Sequence, residues 1–105
     1  MDAIAKKARE LGRAIADTPE YTEYKRYSEI INGDQHKKEV ADRYAALLGR
    51  INDALAVQNV PVELKDEYEQ CAREVNNDPD LVAFFRAQEE YLSMMNECVA
   101  IITDL

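Results

Sequence analysis

DPDLVAFFRAQEEYLSMMNECVAIITDL, residues 78–105, is the stretch that decides the fold. Leu81, Phe84, Gln88, Tyr91, Met95, Cys98, Ile102 and Leu105 follow one another at alternating steps of 3 and 4, with Gln88 the one polar member. A second row, Val82, Phe85, Leu92 and Val99, lies beside the first. Together they form an apolar stripe wider than a two-stranded coiled coil needs, the pattern of a helix packed against several neighbours. Asp78 is placed to cap that helix, and Pro79 suits its first turn, where a missing N–H costs nothing. The spacing predicts a helix over about 79–104. At ~1.5 Å per residue it is about 40 Å long. The rest of the chain is expected to pack along it.

Moving outward, Asn77-Asp78-Pro79 closes a preceding helix of about 62–76, whose apolar row is Leu64, Tyr68, Cys71 and Val75. Asn59-Val60-Pro61 separates it from a second long helix, about 35–58, capped by Asp34, with Val40, Tyr44, Leu47, Ile51 and Leu55 inward. Gly49 inside this helix lowers its propensity, and a close helix crossing is expected there. Before it, Asn32-Gly33 stops a helix carrying Tyr21, Tyr24, Tyr27, Ile30 and Ile31. Gly33 is expected to take the left-handed conformation. The first helix, about 2–16, carries Ile4, Ala8, Leu11 and Ile15 on one row and ends at Asp17-Thr18-Pro19. No segment alternates at period two. The expected fold is an all-α, antiparallel bundle of about five helices, one domain over residues 1–105.

The two ends of the chain echo each other at an offset of 60 residues. Ile4 aligns with Leu64, Leu11 with Cys71 and Ile15 with Val75. The caps Thr18 and Asp78 align, then Pro19 with Pro79, Tyr21 with Leu81 and Tyr24 with Phe84. Each half therefore holds a short helix, a capped proline corner, and a helix led by an apolar residue and then an aromatic one. Phe84 and Tyr24 are expected to be largely buried.

Composition narrows the function. In 105 residues, charged side chains make up 32% and apolar ones 47%, with a net charge of −8, which suits a helical protein that folds without staples. The first fifty residues hold ten Lys and Arg against nine Asp and Glu; the remainder holds three against twelve. An acidic second half opposes a nucleic-acid surface there, because phosphate binding needs clustered Lys and Arg. No DNA partner is expected. The charged N-terminus does not read as a signal peptide, and no uncharged apolar run reaches the ~18–20 residues of a membrane span. Cys71 and Cys98 sit at apolar helical positions, as free thiols do in a reducing cytoplasm.

Catalytic patterns fail one by one. His36 is the one histidine, in the exposed first turn of a helix, with no nucleophile near it in sequence. Glu-x-x-His pairs for a di-iron site are absent, the two cysteines stand alone against zinc, and the three glycines are scattered against a phosphate loop. No catalytic, metal or cofactor residue is assigned. What remains is surface. Tyr21, Tyr24 and Tyr27 wind around their helix, so one ring falls at an edge. That reads as core and rim, as a protein-contact patch, or, with Lys25 and Arg26 adjacent, as an RNA-stacking face. Met94 and Ile101, seven residues apart, flank the main stripe of the last helix and are more apolar surface than a chain of this size covers. Tyr27, Ile30, Met94 and Ile101 are the candidate interaction surface, and a homo-oligomer, most simply a dimer, is expected.

Specific strings carry a resemblance. Leu11-Gly12-Arg13-Ala14-Ile15 followed by Glu20-Tyr21-Thr22-Glu23-Tyr24, Asn77-Asp78-Pro79 with Leu81 and Phe84, and the tail from Met94 to Ile102 resemble the YlbF/YmcA family of small helical bacterial proteins. The resemblance covers nearly the whole chain. It implies a helical bundle that oligomerises and acts as a non-enzymatic regulatory adaptor. In some members it implies a complex with related helical proteins that directs a membrane-associated endoribonuclease in RNA maturation, with effects on competence, sporulation and biofilm formation. Some assembled complexes of the family hold iron–sulfur clusters through cysteines near a C-terminal tail. Here two thiols do not supply the usual four ligands, so a cluster held by this chain alone is not expected, and sharing of Cys71 or Cys98 within a complex stays open. The alternative reading is a direct RNA- or ligand-binding module centred on Lys6, Lys7, Lys25, Arg26 and Lys37.

Overall fold

A computed structural model describes residues 1–105 as five helices without a strand: α1 Asp2–Ala16, α2 Pro19–Asn32, α3 Gln35–Ala56, α4 Val62–Asn76 and α5 Pro79–Ile102. The starts are set by side-chain caps. The Thr18 hydroxyl accepts from the Tyr21 N–H at 3.2 Å and donates to the Ile15 carbonyl at 2.6 Å, so one side chain closes α1 and opens α2. Asp34 accepts from the Lys37 N–H at 3.1 Å. Asp78 accepts from the Asp80 and Leu81 N–H groups at 3.0 and 3.4 Å. Each cap satisfies donors that the first turn of a helix leaves without a partner.

Two glycines and one glutamine depart from the sequence expectations. Gly33 has φ −82° and stays right-handed. Asp34 begins the next helix at once, so no left-handed reversal is needed. What favours glycine there is space: an added Cβ would sit 3.2 Å from the Glu29 carbonyl oxygen. α3 ends at Ala56, two residues before the expected end, because Gln58 takes φ +56°. Its N–H bonds to the Leu55 carbonyl and that of Asn59 to the Ala54 carbonyl, the paired bonds of a Schellman stop. Gly49 approaches no other helix; nothing lies within 4 Å of where its Cβ would be. Gly49→Ala should therefore stabilise the protein by about 1 kcal/mol through helix propensity, read as a higher urea midpoint at unchanged slope.

α2 runs antiparallel to the first half of α5, with Tyr21 and Tyr24 beside Tyr91 and Ile31 in the core with Leu81. α3 and α4 form a second antiparallel pair, with Cys71 Sγ facing the Val40 carbonyl at 3.9 Å and Arg43 paired with Glu74. A core of Ile31, Val40, Ala41, Leu47, Leu64, Cys71, Val75 and Leu81 sits where the two pairs meet. A run of rings crosses the body beside it: Tyr21, Tyr91, Tyr24, Phe84, Phe85, Tyr44, Tyr68. Successive centroids are 4.9–6.1 Å apart. Such contacts add stabilisation beyond the area they bury. Tyr24 and Phe84 are half-buried rather than enclosed, because they stack in this seam and the body is thin.

The chain measures 51 × 35 × 18 Å with a radius of gyration of 17.2 Å. A compact domain of this length has about 13 Å. The excess comes from both ends. No residue of α1 is buried, and the last turns of α5 run past the other helices. Leu55, expected inward, is also exposed, being in the last turn of α3 beyond its packing with α4.

Lys37 ties the two pairs together across 41 residues of sequence, its ammonium donating to Asp78 at 2.7 Å and lying 3.5 Å from Asp80. The bond to Lys37 holds the Asp78 carboxyl below its ordinary value, helped by the two backbone N–H groups, and Asp78 in turn raises Lys37. A depressed carboxyl stabilises the fold above its unfolded pKa and loses that contribution as pH falls through the folded value. Stability should thus drop below about pH 4. Asp78→Ala should flatten that acid limb and cost, at neutral pH, the upper part of the ~0.5–2 kcal/mol of a lost cap, since the ion pair goes with it. Urea titrations of both proteins at a series of pH values measure this; an acid limb unchanged in the variant would assign it to other carboxylates.

A candidate protein-contact surface

The expected surface residues fall in two places. Tyr27 and Ile30 lie on the second half of α2, against the start of α5. Met94 and Ile101 lie on the second half of α5, about 10 and 20 Å along the helix axis from Ala87, which sits beside Tyr27, at ~1.5 Å per residue. Glu90 lines both the depression beside Tyr27 and the one beside Met94. Tyr27 is the one aromatic ring outside the seam. The Arg26 guanidinium lies 4.6 Å over its ring and donates to its hydroxyl, while also pairing with Glu23. That leaves α2 with a self-satisfied edge, and Ile30 is 37% exposed.

The end holding Met94 and Ile101 is different. Leu92, Val99, Ile101 and Ile102 are all more than half exposed, and Met94, Met95 and Cys98 are half-buried. Met94 lines a depression with Glu20, Glu90, Ser93 and Glu97, which places the α1–α2 corner beside this part of α5. Glu20, Glu90 and Glu97 form no ion pair within the chain. From that corner α1 projects with Ile4 at 66% and Leu11 at 37% exposure. Two amphipathic segments, α1 and the end of α5, thus leave the body at one end with their apolar sides uncovered. The exposed α1 row is what the sequence did not signal. Its pattern is that of a packed helix, and the missing neighbour has no local signature.

Other chemistry is sparse. No group of three or more His, Cys, Asp or Glu side chains is arranged to hold a metal ion. Both cysteines are free thiols. The depression between α3 and α4 is lined by Arg43, Leu47, Glu67, Gln70, Cys71 and Glu74, and Arg43 and Glu74 neutralise each other across it. Tyr44 is pushed up to about 12, first by its hydroxyl contact with Tyr68 at 3.5 Å and then by burial; it stacks in the seam and faces no catalytic partner. No helix is long and apolar enough to cross a membrane. Of the basic residues grouped for RNA, Lys37 is engaged by Asp78 and Asp80, Arg26 by Glu23 and Tyr27, and Lys7 by Glu10.

Comparison with known proteins fits a chain organised around helical contact. Residues 4–105 match the family model described as control of competence regulator ComK, YlbF/YmcA. The chain belongs to the YlbF/YmcA family. The family description names a regulatory role. A UPF0342 protein of Streptococcus gordonii is 27% identical over 103 residues, which covers 94% of this YlbF/YmcA chain and 92% of the relative. The strings that carry the family likeness now have places in the fold. They form the Thr18 corner, the Asp78 corner, and the exposed end of α5.

Proposed function

We propose that this YlbF/YmcA protein is a non-enzymatic regulatory adaptor that acts through protein–protein contact, itself as a homo-oligomer, most simply a dimer. The observation that carries the reading is the uncovered apolar surface of α1 and the last turns of α5. Patches of that kind on a folded chain mark interaction sites. The family's connection with competence control supports a regulatory rather than a catalytic role. Its partners would be a second copy, related helical proteins and, through them, an endoribonuclease complex acting on RNA in the cytoplasm. Direct RNA binding is the weaker reading, because three of its five basic residues are engaged within the chain.

Two measurements test this. Light scattering after size exclusion should give a dimer at low micromolar concentration. Affinity purification from the native cell should recover related helical proteins or an endoribonuclease. A chain that stays monomeric at high micromolar concentration removes the homo-oligomer. Tight, salt-dependent RNA binding by the purified chain would turn the assignment to the RNA-binding module.

A further inference from the structure

We propose that α1 of one chain docks along the last three turns of α5 of a second copy, and that the exchange is reciprocal about a two-fold axis. This rests on the homo-oligomer reading above and adds which surfaces meet.

The internal repeat identifies what is missing. In the second half of the chain, α4 presents Leu64, Cys71 and Val75, and all three are buried, with α3 as the helix packed against α4. In the first half, the aligned residues Ile4, Leu11 and Ile15 of α1 make the same row, and none is buried. α1 lacks the counterpart of α3. A helix of 15 residues is marginal in water without tertiary packing, so α1 needs a cover to persist.

The end of α5 has the complementary defect. Val99, Ile101 and Ile102 are exposed and Met94 is half-buried, and no helix of the same chain covers the three exposed side chains. The stretch from 94 to 102 is about 13 Å long and α1 about 22 Å, so one helix can cover the other. Charge favours the pairing. α1 carries Lys6, Lys7, Arg9 and Arg13 against Asp2 and Glu10. After Arg86, α5 and the tail carry Glu89, Glu90, Glu97 and Asp104 and no Lys or Arg. Two copies of α1, or two copies of the tail, would place like charges together; α1 against the tail places opposite ones together. Because both segments leave the body at the same end, one two-fold axis there lets each α1 reach the other copy's tail, as an isologous interface requires.

The test is a charge-reversal pair. One variant is Lys6→Glu with Lys7→Glu; the other is Glu90→Lys with Glu97→Lys. All four sites are exposed on their helices, so helicity by circular dichroism should hold. Measured at low salt, where exposed charges are least screened, each variant alone should dimerise about tenfold more weakly than wild type. Mixed in equal amounts, they should recover wild-type affinity as a one-to-one heterodimer, because both α1–tail contacts are then oppositely charged. A wild-type dimer with either variant as tight as wild type, or a mixture no tighter than its parts, overturns the α1–tail pairing and leaves the homo-oligomer intact. A monomeric wild type instead overturns the homo-oligomer reading itself. Should a variant lose helicity, zero-length carbodiimide coupling of the wild-type protein decides: isotope-mixed chains should yield intermolecular links from Lys6 or Lys7 to Glu90, Glu97 or Asp104. Coupling confined to other residues overturns the proposal.

Discussion

Leu81→Ala should lower the stability of this protein by about 2–5 kcal/mol, toward the upper end of that range. Leu81 is 1% exposed, and Leu81 and Cys71 are the largest fully enclosed side chains in the chain. It lies in the first turn of α5, its N–H held by the Asp78 cap, and its side chain enters the core where α2, α4 and α5 converge. Deleting its branch forfeits the transfer energy of the lost carbons and leaves a cavity. The cavity cannot collapse easily, because Leu81 is fixed by the cap on one side and the seam begins at Phe84 on the other. Domains of this size are stable by about 5–15 kcal/mol, so a loss of this size removes much of the margin. The urea midpoint should fall steeply with little change in slope. An unchanged midpoint would take Leu81 out of the core and with it the idea that the Asp78 corner nucleates the packing. Val99→Ala is the control. Val99 is exposed in the single chain, so monomer stability should hardly move.

The contrast between Leu81 and Val99 also marks what the sequence could show. Both lie on the same apolar helix, and nothing in the local pattern separates them. Helix starts were legible because Thr18, Asp34 and Asp78 cap their own helices within three residues. Those bonds depend on local chemistry alone. The five helices and their all-α packing follow from periodicity for the same reason. Depth of burial depends on which helices are present to cover a face, and that is a tertiary fact. Hence the sequence marks Met94 and Ile101 as surplus on α5, yet Val99 and Ile102, on the rows read as packed, are exposed too, and α1 carries a core pattern without a core. The Lys37–Asp78 bond is non-local too. The seam was half legible: Tyr24 and Phe84 were singled out by the repeat, but the role of Tyr44 as the bridge to α3 and α4 came only with the fold. Gln58 was missed because a left-handed residue other than glycine leaves little trace in sequence. Of the four surface residues, Tyr27 and Ile30 lie on α2 and Met94 and Ile101 on α5; an apolar residue off the main row signals an edge without saying what that edge faces.

Met94→Glu together with Ile101→Lys should abolish dimerisation while leaving α2 to α5 formed. Met94 is half-buried beside Glu20, Glu90 and Glu97, and Ile101 is 68% exposed near the end of α5. In the single chain a charge at Ile101 stays in water and costs little. At Met94 a new carboxylate joins three others at the rim of an open depression, so the fold tolerates it at a modest cost. In a dimer that covers this end, the same two charges are taken out of water. Removing an unpaired charge from water costs several kcal/mol, and each 1.4 kcal/mol is a tenfold loss of affinity. Both copies carry the changes, so the cost is incurred twice about the two-fold axis. The sites are seven residues apart, too far for the new charges to neutralise each other along the helix. Light scattering should report a monomer where wild type is a dimer. Far-ultraviolet circular dichroism should lose at most the share contributed by α1, whose helix depends on being covered. Retained dimers would move the interface away from this face of α5, toward the opposite flank at Leu92 and the groove beside Tyr44 and Leu48.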